Sequence, residues 1–234
     1  MKASSFVTVL STLTLLLASS AGSDSHAAPS AKPTAKPAPA STRTGEMIYL
    51  RDFGSDEVGF LSVPMQEPPM GLLVIPDGHG LDARTKKLCD LLAERGFLAL
   101  AVDLYNGRVA ADDREARTNR QGLEPKDVRK ALETGLNFYA KSPRFQMSRV
   151  AVVAIGDADA FALDLCRESK NRSLAAACLV GGPTPLPDQL DELHARVQRL
   201  DLPASGDPSA GIAQIVDFLN APETRKNFFQ RLVD

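Results

Sequence analysis

Six polar side chains in this sequence stand at the ends of predicted strands or in the loops that follow them, where they could do chemistry together. They are Asp77, His79, Tyr105, Arg108, Asp157 and Asp207. A carboxylate beside a histidine can move a proton during a reaction, and an arginine can hold a ligand carboxylate. Open α/β sheets bind ligands beyond the carboxyl ends of their strands, where loops of this kind meet. We therefore expect these six residues to line one pocket.

Plainer interpretations of the same residues stay open. His79 is the only histidine in a predicted strand-end loop. It could be a displaced general base or a loop residue that bonds to the backbone. The aspartates at these strand ends either cap turns and helices or form a carboxylate cluster able to hold a divalent cation. They are Asp77, Asp103, Asp157, Asp159 and Asp207. Calcium-loop spacing is absent, so we expect no metal and no cofactor.

The elements that must position these residues are strands alternating with helices. The predicted strands are Glu46–Phe53, Val58–Val63, Gly71–Ile75, Phe97–Val102, Val150–Ile155, Ala175–Val180 and Val197–Leu202. Helices are predicted at Arg84–Arg95, Pro125–Ala140, after Asp159, at Asp188–Ala195 and at Ser209–Asn220, with a surface helix or loop at Ala110–Gly122. Strands apolar on both faces predict a mostly parallel sheet flanked by helices. The first two strands, joined through a Gly54 turn, predict an antiparallel hairpin at its edge.

One strand runs directly into a sharp turn and then a helix. Val150–Ile155 is followed by Gly156-Asp157-Ala158-Asp159, a segment that we call the elbow. A strand-to-helix turn of this kind is where α/β-hydrolases hold their nucleophile. The elbow contains no Ser, Cys or Thr. Depending on the alignment of the turn, the nucleophile position falls on Gly156 or on Ala158.

The order of several motifs resembles the dienelactone hydrolases, a branch of the α/β-hydrolases. The motifs are the strand 59–64 (GFLSVP), the helix and strand 91–105 (LLAERGFLALAVDLY), the strand before the elbow, the glycine turn 181–183 (GGP) and the segment 202–207 (LPASGD). The resemblance covers about residues 45–220. It implies an α/β-hydrolase-like fold, shortened near the C-terminus because the strand that normally carries the acid lacks a counterpart.

The resemblance also implies a mechanism whose residues are missing. The family uses a Cys or Ser nucleophile with an Asp and a His, and the His position falls on Asp207. Asp77 stands where the family has a Glu that partners the resting nucleophile. Arg108 lies one residue away from the family's Arg for the substrate carboxylate, and its second Arg would fall on Gly211. The chain is thus identified as a degenerate member of the family.

Three functions follow from this pattern. The favoured hypothesis is a non-catalytic binding protein, or pseudoenzyme, that takes a small-molecule ligand or an envelope protein. The second is a carboxylic-ester or lactone hydrolase in which Asp77, His79 or Asp207 activates water, with or without a metal. The third is a purely structural domain.

The N-terminus predicts export. Lys2, an apolar segment over 6–18 and the small residues after it have the layout of a signal peptide, which we place at 1–27. The Pro-, Ala- and Lys-rich segment 28–44 is predicted to be a linker, and 45–234 the dienelactone-hydrolase-like domain. We expect a periplasmic or secreted protein without a transmembrane segment after cleavage of the leader.

Composition excludes some partners and leaves the cysteines open. A net charge of −2 gives no reason to expect nucleic acid or an acidic membrane as a partner. Cys89, Cys166 and Cys178 have no metal-type spacing. They are either three small buried hydrophobic residues or include a Cys166–Cys178 bridge.

Overall fold

Strands of a single mixed sheet form the centre of the protein in the computed structural model, which describes residues 44–54, 56–187, 193–200 and 207–221. The strands are β1 (Glu46–Tyr49), β2 (Val58–Ser62), β3 (Gly71–Ile75), β4 (Leu98–Val102), β5 (Val150–Ile155), β6 (Leu174–Val180) and β7 (Arg196–Leu200). The described helices are α1 (Ala83–Glu94), α2 (Asp113–Gln121), α3 (Pro125–Lys141), α4 (Asp159–Glu168) and α5 (Ile212–Asn220).

The strand order of this sheet is β1-β2-β4-β3-β5-β6-β7. The pairs β1–β2 and β2–β4 are antiparallel, and the remaining pairs are parallel. In register, Val74 lies beside Ala101 of β4 on one side and Val153 of β5 on the other. The α/β fold class, the mostly parallel sheet and the N-terminal antiparallel hairpin are therefore confirmed.

Helices cover both faces of the sheet because its inner strands are apolar on both. Every residue of β3, β4, β5 and β6 is buried. On one face Leu73 and Val152 pack in a cluster with Leu132 of α3 and Leu163 of α4. On the other face a second cluster joins sheet residues to α1 and α5. A parallel sheet needs this cover on both sides, and its loops are left to meet at its edges.

Some predicted elements differ from the observed ones near the C-terminus. The predicted helix Asp188–Ala195 lies partly outside the described residues, and its last part, 193–195, forms bends rather than a helix. The strand after it is Arg196–Leu200, slightly earlier than predicted. The final helix begins at Ile212 because a 3-10 turn at Pro208–Gly211 precedes it. Ala110–Gly122 contains the true helix α2, which the Asp112 carboxylate caps at the Glu115 N–H, 2.8 Å away.

The predicted leader, 1–27, and all of the predicted linker except Thr44 lie outside the described residues. Among the helices of the described part, none combines the length and the apolar character needed to cross a bilayer.

Candidate functional site

The elbow after β5 is a short 3-10 turn, Gly156–Ala158, that leads into α4. Gly156 has a φ of 55°, in the left-handed region that glycine adopts without a steric penalty. Ala158 has a φ of −75° and only 1% exposure, because it packs in the core beneath the turn. Gly156 is thus the residue at the sharp point of the elbow, and Ala158 faces away from solvent.

A cavity of about 320 Å³ opens beside this elbow, at the carboxyl ends of β3 and β5. Its lining consists of Asp77, Gly78, His79, Arg84, Asp113, Ala116, Arg117, Gly156 and Asp157. We call it the elbow cavity. Three of the predicted pocket residues, Asp77, His79 and Asp157, therefore lie together. Among the described residues, no Ser, Thr or Cys lines this cavity.

His79 lies between two carboxylates in the elbow cavity. Its backbone N–H donates to Asp77 Oδ1 at 2.9 Å, which fixes the loop, and its Nδ1 lies 3.3 Å from the same oxygen. Its Nε2 lies 3.4 Å from Asp113 Oδ1. A neutral imidazole carries one N–H and can donate to only one of these carboxylates at a time. Both ring nitrogens are therefore already facing protein groups.

Arg84 approaches Asp77 from the start of α1. Its Nε donates to Asp82 Oδ2 at 2.8 Å, and its Nη2 lies 3.8 Å from Asp77 Oδ2. Asp82 also caps α1 by accepting from the Thr85 N–H. Burial raises the pKa of Asp82, but the hydrogen bonds from Thr85 and Arg84 outweigh it and leave the pKa below its usual value. Arg84 is thereby held at the wall of the elbow cavity.

Helix α2 forms the opposite wall, and sequence reasoning did not place it there. A Cβ at Gly78 would come closer than 3.0 Å to the Ala116 carbonyl, so the two backbones touch. Asn119 Nδ2 also donates to the Gly78 carbonyl at 3.2 Å. The helix thereby brings Asp113 and Arg117 into the cavity. The spacing of its charged residues at 113, 117 and 120 was the signal that could have indicated one functional face.

Three buried polar atoms near the elbow have no hydrogen-bond partner among the described residues: Tyr105 Oη, Arg120 Nε and Asp157 Oδ1. Tyr105 is only 4% exposed. The Arg120 guanidinium lies 3.7 Å from the Phe161 ring centroid, and its Nε is 3.9 Å from Asp157 Oδ2. Burial raises the pKa of Asp157, opposed by the positive charge of Arg120. Burial, with the negative charge of Asp157, also raises the pKa of Tyr105.

Three of the predicted pocket residues do not line the elbow cavity: the buried Tyr105 and the exposed Asp207 and Arg108. Asp207 is exposed and does not line the elbow cavity. It caps the turn after it through the Ser209 N–H and accepts from Lys87 Nζ at 3.0 Å, and these contacts lower its pKa to about 2. Arg108 is exposed on the loop after β4 and lines no part of the elbow cavity either.

Asp159 does not cap α4, which was one of its two predicted roles. The helix has no side-chain cap, and the fully buried Asp159 carboxylate bonds instead to Thr184 in the loop after β6. Within the described residues, no group of three or more His, Cys, Asp or Glu side chains is placed to hold a metal ion. All three cysteines are buried thiols outside any disulfide, so Cys166 and Cys178 do not form a bridge.

Comparison with known proteins agrees with this architecture. The profile of the Dienelactone hydrolase family matches residues 58–203. The chain belongs to the dienelactone hydrolase family. Among curated proteins it is similar to Protein usf of Aquifex pyrophilus, with 32% identity over 75 residues that cover 31% of this chain and 32% of that protein. The match thus spans about a third of the length of the curated relatives.

Solved structures show the fold shared across the dienelactone hydrolase family. A dienelactone hydrolase of Anabaena variabilis has a TM-score of 0.53 at 15% identity, covering 76% of this chain and 98% of that one. A dienelactone hydrolase-like promiscuous phosphotriesterase from metagenomic libraries has a TM-score of 0.56 at 20% identity, covering 77% and 78%. At these identities the likeness concerns the fold alone. The chemistry of the elbow in this member of the dienelactone hydrolase family therefore follows from its own residues and not from those of the solved structures.

Proposed function

We propose that this chain is a non-catalytic member of the dienelactone hydrolase family that binds a small molecule in the elbow cavity. The observation that carries the proposal is Gly156, which stands at the point of the elbow with a φ of 55° and lines the cavity. Covalent ester hydrolysis needs a nucleophilic side chain with a base within reach of it. Glycine supplies no such side chain.

The surroundings of Gly156 support the same proposal. The family resemblance assigns the histidine position to Asp207. The Asp207 carboxylate instead accepts hydrogen bonds from Lys87 and Ser209 outside the elbow cavity. His79 Nε2 faces Asp113 rather than open cavity space. A cavity of about 320 Å³ lies within the range typical of small-molecule sites. Binding of a small molecule, unlike covalent hydrolysis, does not require a nucleophile in the elbow cavity.

The test is an assay of the purified protein on p-nitrophenyl acetate and on a simple aryl lactone. We expect no turnover above that of buffer, and no change on His79→Gln or Asp157→Asn. A thermal-shift screen of small molecules on the same samples should give stabilisation by ligands that bind the native state. Wild-type turnover that is lost in the His79→Gln variant would contradict the proposal.

A second candidate function is hydrolysis by an activated water. The observation that favours it is the Asp77–His79 contact, with Nδ1 3.3 Å from Oδ1, since a carboxylate commonly orients a histidine that acts as a base. In that case turnover should fall at least about tenfold in both Asp77→Asn and His79→Gln. A parallel assay with chelator separates a metal-assisted version from a metal-free one.

We further propose that the protein is exported, with a ligand or partner in the cell envelope or outside it. The support is the sequence pattern of 1–27. Expression of the full chain with a C-terminal tag should give a tagged product in the periplasm or medium. Its mass should be smaller by a leader that ends near residue 27. A full-length product in the cytoplasm would contradict export.

A further inference from the structure

A second cavity, of about 250 Å³, lies between helices α3 and α4. Val128 and Leu132 of α3 line it together with Phe161 and Leu165 of α4, and Arg120 from the end of α2 completes this part of the lining. We call it the α3–α4 cavity. In the described part of the chain it shares no lining residue with the elbow cavity. The two cavities are therefore separate sites.

The size and the apolar walls of the α3–α4 cavity suit a small ring. Val128, Leu132 and Leu165 are each no more than 5% exposed, so these walls belong to the core of the protein. A dry cavity of about 150 Å³ lined by aliphatic and aromatic side chains can hold a benzene ring. At about 250 Å³ the α3–α4 cavity has room for one ring with a short substituent, and it is smaller than most sites for drug-sized ligands.

Arg120 gives this apolar lining a hydrogen-bond donor that is not used. Its guanidinium lies 3.7 Å from the Phe161 ring centroid, a cation–π contact that supplies no hydrogen-bond acceptor. Arg120 Nε is buried and has no hydrogen-bond partner among the described residues. The Asp157 Oδ2 atom, 3.9 Å from this nitrogen, is too distant to accept a hydrogen bond. A buried donor without an acceptor carries a desolvation cost, which a ligand oxygen would recover.

The charges around the α3–α4 cavity favour a neutral acceptor over an anion. Arg129 of α3 is ion-paired with Glu168 of α4, and both line the cavity. Arg120 already faces the carboxylate described above. With Glu133 and Asp164, the described lining holds one carboxylate more than it holds arginines. An anionic ligand would therefore meet an excess of negative charge.

We propose that the α3–α4 cavity is a binding site for a small neutral molecule that carries one apolar ring and a carbonyl oxygen. The ring packs against Leu132, Leu165 and Phe161, and the oxygen accepts a hydrogen bond from Arg120 Nε. Because this site is separate from the elbow cavity, the inference does not depend on the function proposed for that cavity.

Three compounds of nearly the same shape test the proposal on the wild-type protein. Acetophenone carries a carbonyl oxygen, α-methylstyrene carries a methylene group in its place, and benzoate carries a carboxylate. Titration of isotope-labelled protein, followed by amide chemical shifts, gives both the affinity and the location of each compound. We expect acetophenone to shift the amides of 126–133 and 160–169 and to leave those of 77–80 and 156–157 unchanged. Benzoate should bind at least about tenfold more weakly.

Two results of this titration would overturn the proposal. One is the absence of acetophenone binding, or binding that shifts only the amides of the elbow cavity. The other is benzoate that binds the α3–α4 cavity as tightly as acetophenone does.

The variant Arg120→Met keeps an unbranched side chain and removes the donor. We expect it to lower the affinity for acetophenone at least about fivefold and to change that for α-methylstyrene by less than about twofold. The matched control is Arg114→Met, which removes an arginine of the same helix that lines neither cavity and should leave both affinities unchanged. Equal losses for the two compounds in Arg120→Met, or a loss in Arg114→Met, would overturn the assignment of the donor.

A second variant tests the location without changing a charge. Ala160 of α4 lines the cavity and is only partly buried, so a larger side chain can be placed there without entering the core. We expect Ala160→Leu to fill part of the cavity and to weaken acetophenone and α-methylstyrene alike, by at least about tenfold. Wild-type affinity for both compounds in this variant would show that they bind elsewhere and would overturn the proposal.

Discussion

Thr184 donates two hydrogen bonds to the fully buried carboxylate of Asp159, from its N–H to Oδ2 at 2.8 Å and from its Oγ1 to Oδ1 at 2.5 Å. Arg199 of β7 lies 3.4 Å from the same Oδ2 and also donates to the carbonyls of Gly182 and Thr184. One carboxylate thereby ties the start of α4 to the loop after β6 and to the next strand. This network fixes the position of the elbow through the helix that follows it.

Removing that carboxylate should destabilise the fold strongly. We expect Asp159→Ala to lower the free energy of unfolding by about 3 kcal/mol, because Arg199 and Thr184 lose a buried charged partner. Thr184→Val, which removes only the hydroxyl donor, should cost about 1.5 kcal/mol. Urea denaturation measures both values. An Asp159→Ala variant within about 0.5 kcal/mol of wild type would mean that the network contributes nothing to stability.

Gly182 should tolerate no side chain. A Cβ there would lie closer than 3.0 Å to both Asp159 Oδ2 and the Gly156 carbonyl. We expect Gly182→Ala to lose about 2–3 kcal/mol as the elbow shifts to relieve the overlap.

Gly122→Ala is the matched control, since its φ is −82° and its nearest atoms would lie at 3.6 Å. That substitution should leave stability unchanged or raise it by up to about 1 kcal/mol. Equal losses in the two variants would point to a general intolerance of alanine for glycine rather than to a close contact at the elbow.

Asp157→Asn should raise stability at neutral pH. The pKa of Asp157 is raised in the folded protein, chiefly by burial. Between the ordinary aspartate pKa and this raised value the folded protein binds more protons than the unfolded chain, so its stability falls as pH rises. The asparagine variant escapes that loss. Its advantage over wild type in urea midpoint should therefore be larger at pH 7 than at pH 3.

Asp82→Asn is expected to behave in the opposite way. The pKa of Asp82 is lowered, so its contribution to stability is present above the ordinary aspartate pKa and is lost as pH falls. The variant should be less stable than wild type at pH 7, with the gap closing toward pH 3. The same pH trend in both variants would contradict the assigned directions.

The three thiols should be unreactive in the native protein. Cys89, Cys166 and Cys178 are buried thiols outside any disulfide, and burial raises the pKa of Cys178 to about 12. Only the thiolate form of a cysteine is a good nucleophile. Burial keeps reagents away from these thiols and disfavours their ionisation. We expect Ellman's reagent at pH 8 to modify none of them until urea is added, and then all 3. One thiol that reacts rapidly without denaturant would place a cysteine at the surface.

Local signals in the sequence were enough to predict most of the sheet and the elbow. β5 is six consecutive apolar residues that end at Gly156, and burial on both faces follows from that composition alone. Arg84–Arg95 was predicted as a helix because leucines recur on one face, and the observed α1 is Ala83–Glu94. Signals of this kind depend only on neighbours along the chain.

What the sequence could not provide were contacts between distant segments. Helix α2 is positioned by a contact between the Ala116 backbone and Gly78. A contact between backbones leaves no pattern of apolar side chains in the sequence. For Asp159 the sequence leaves helix capping and a carboxylate cluster open, because its observed partner Thr184 is 25 residues away and local spacing does not indicate it. Asp207 was placed in the pocket by the order of motifs, which fixes sequence position but not where the chain runs in space.

The left-handed backbone at Gly156 has an energetic meaning of its own. A residue other than glycine held in that conformation stores about 1–3 kcal/mol of strain, which working enzymes commonly retain at the reacting residue. With glycine at the elbow that strain is absent. The fold is thus relaxed at the point where a hydrolase gives up stability for activity. Any substitution that installs a nucleophile at residue 156 should lower the melting temperature even before it catalyses a reaction.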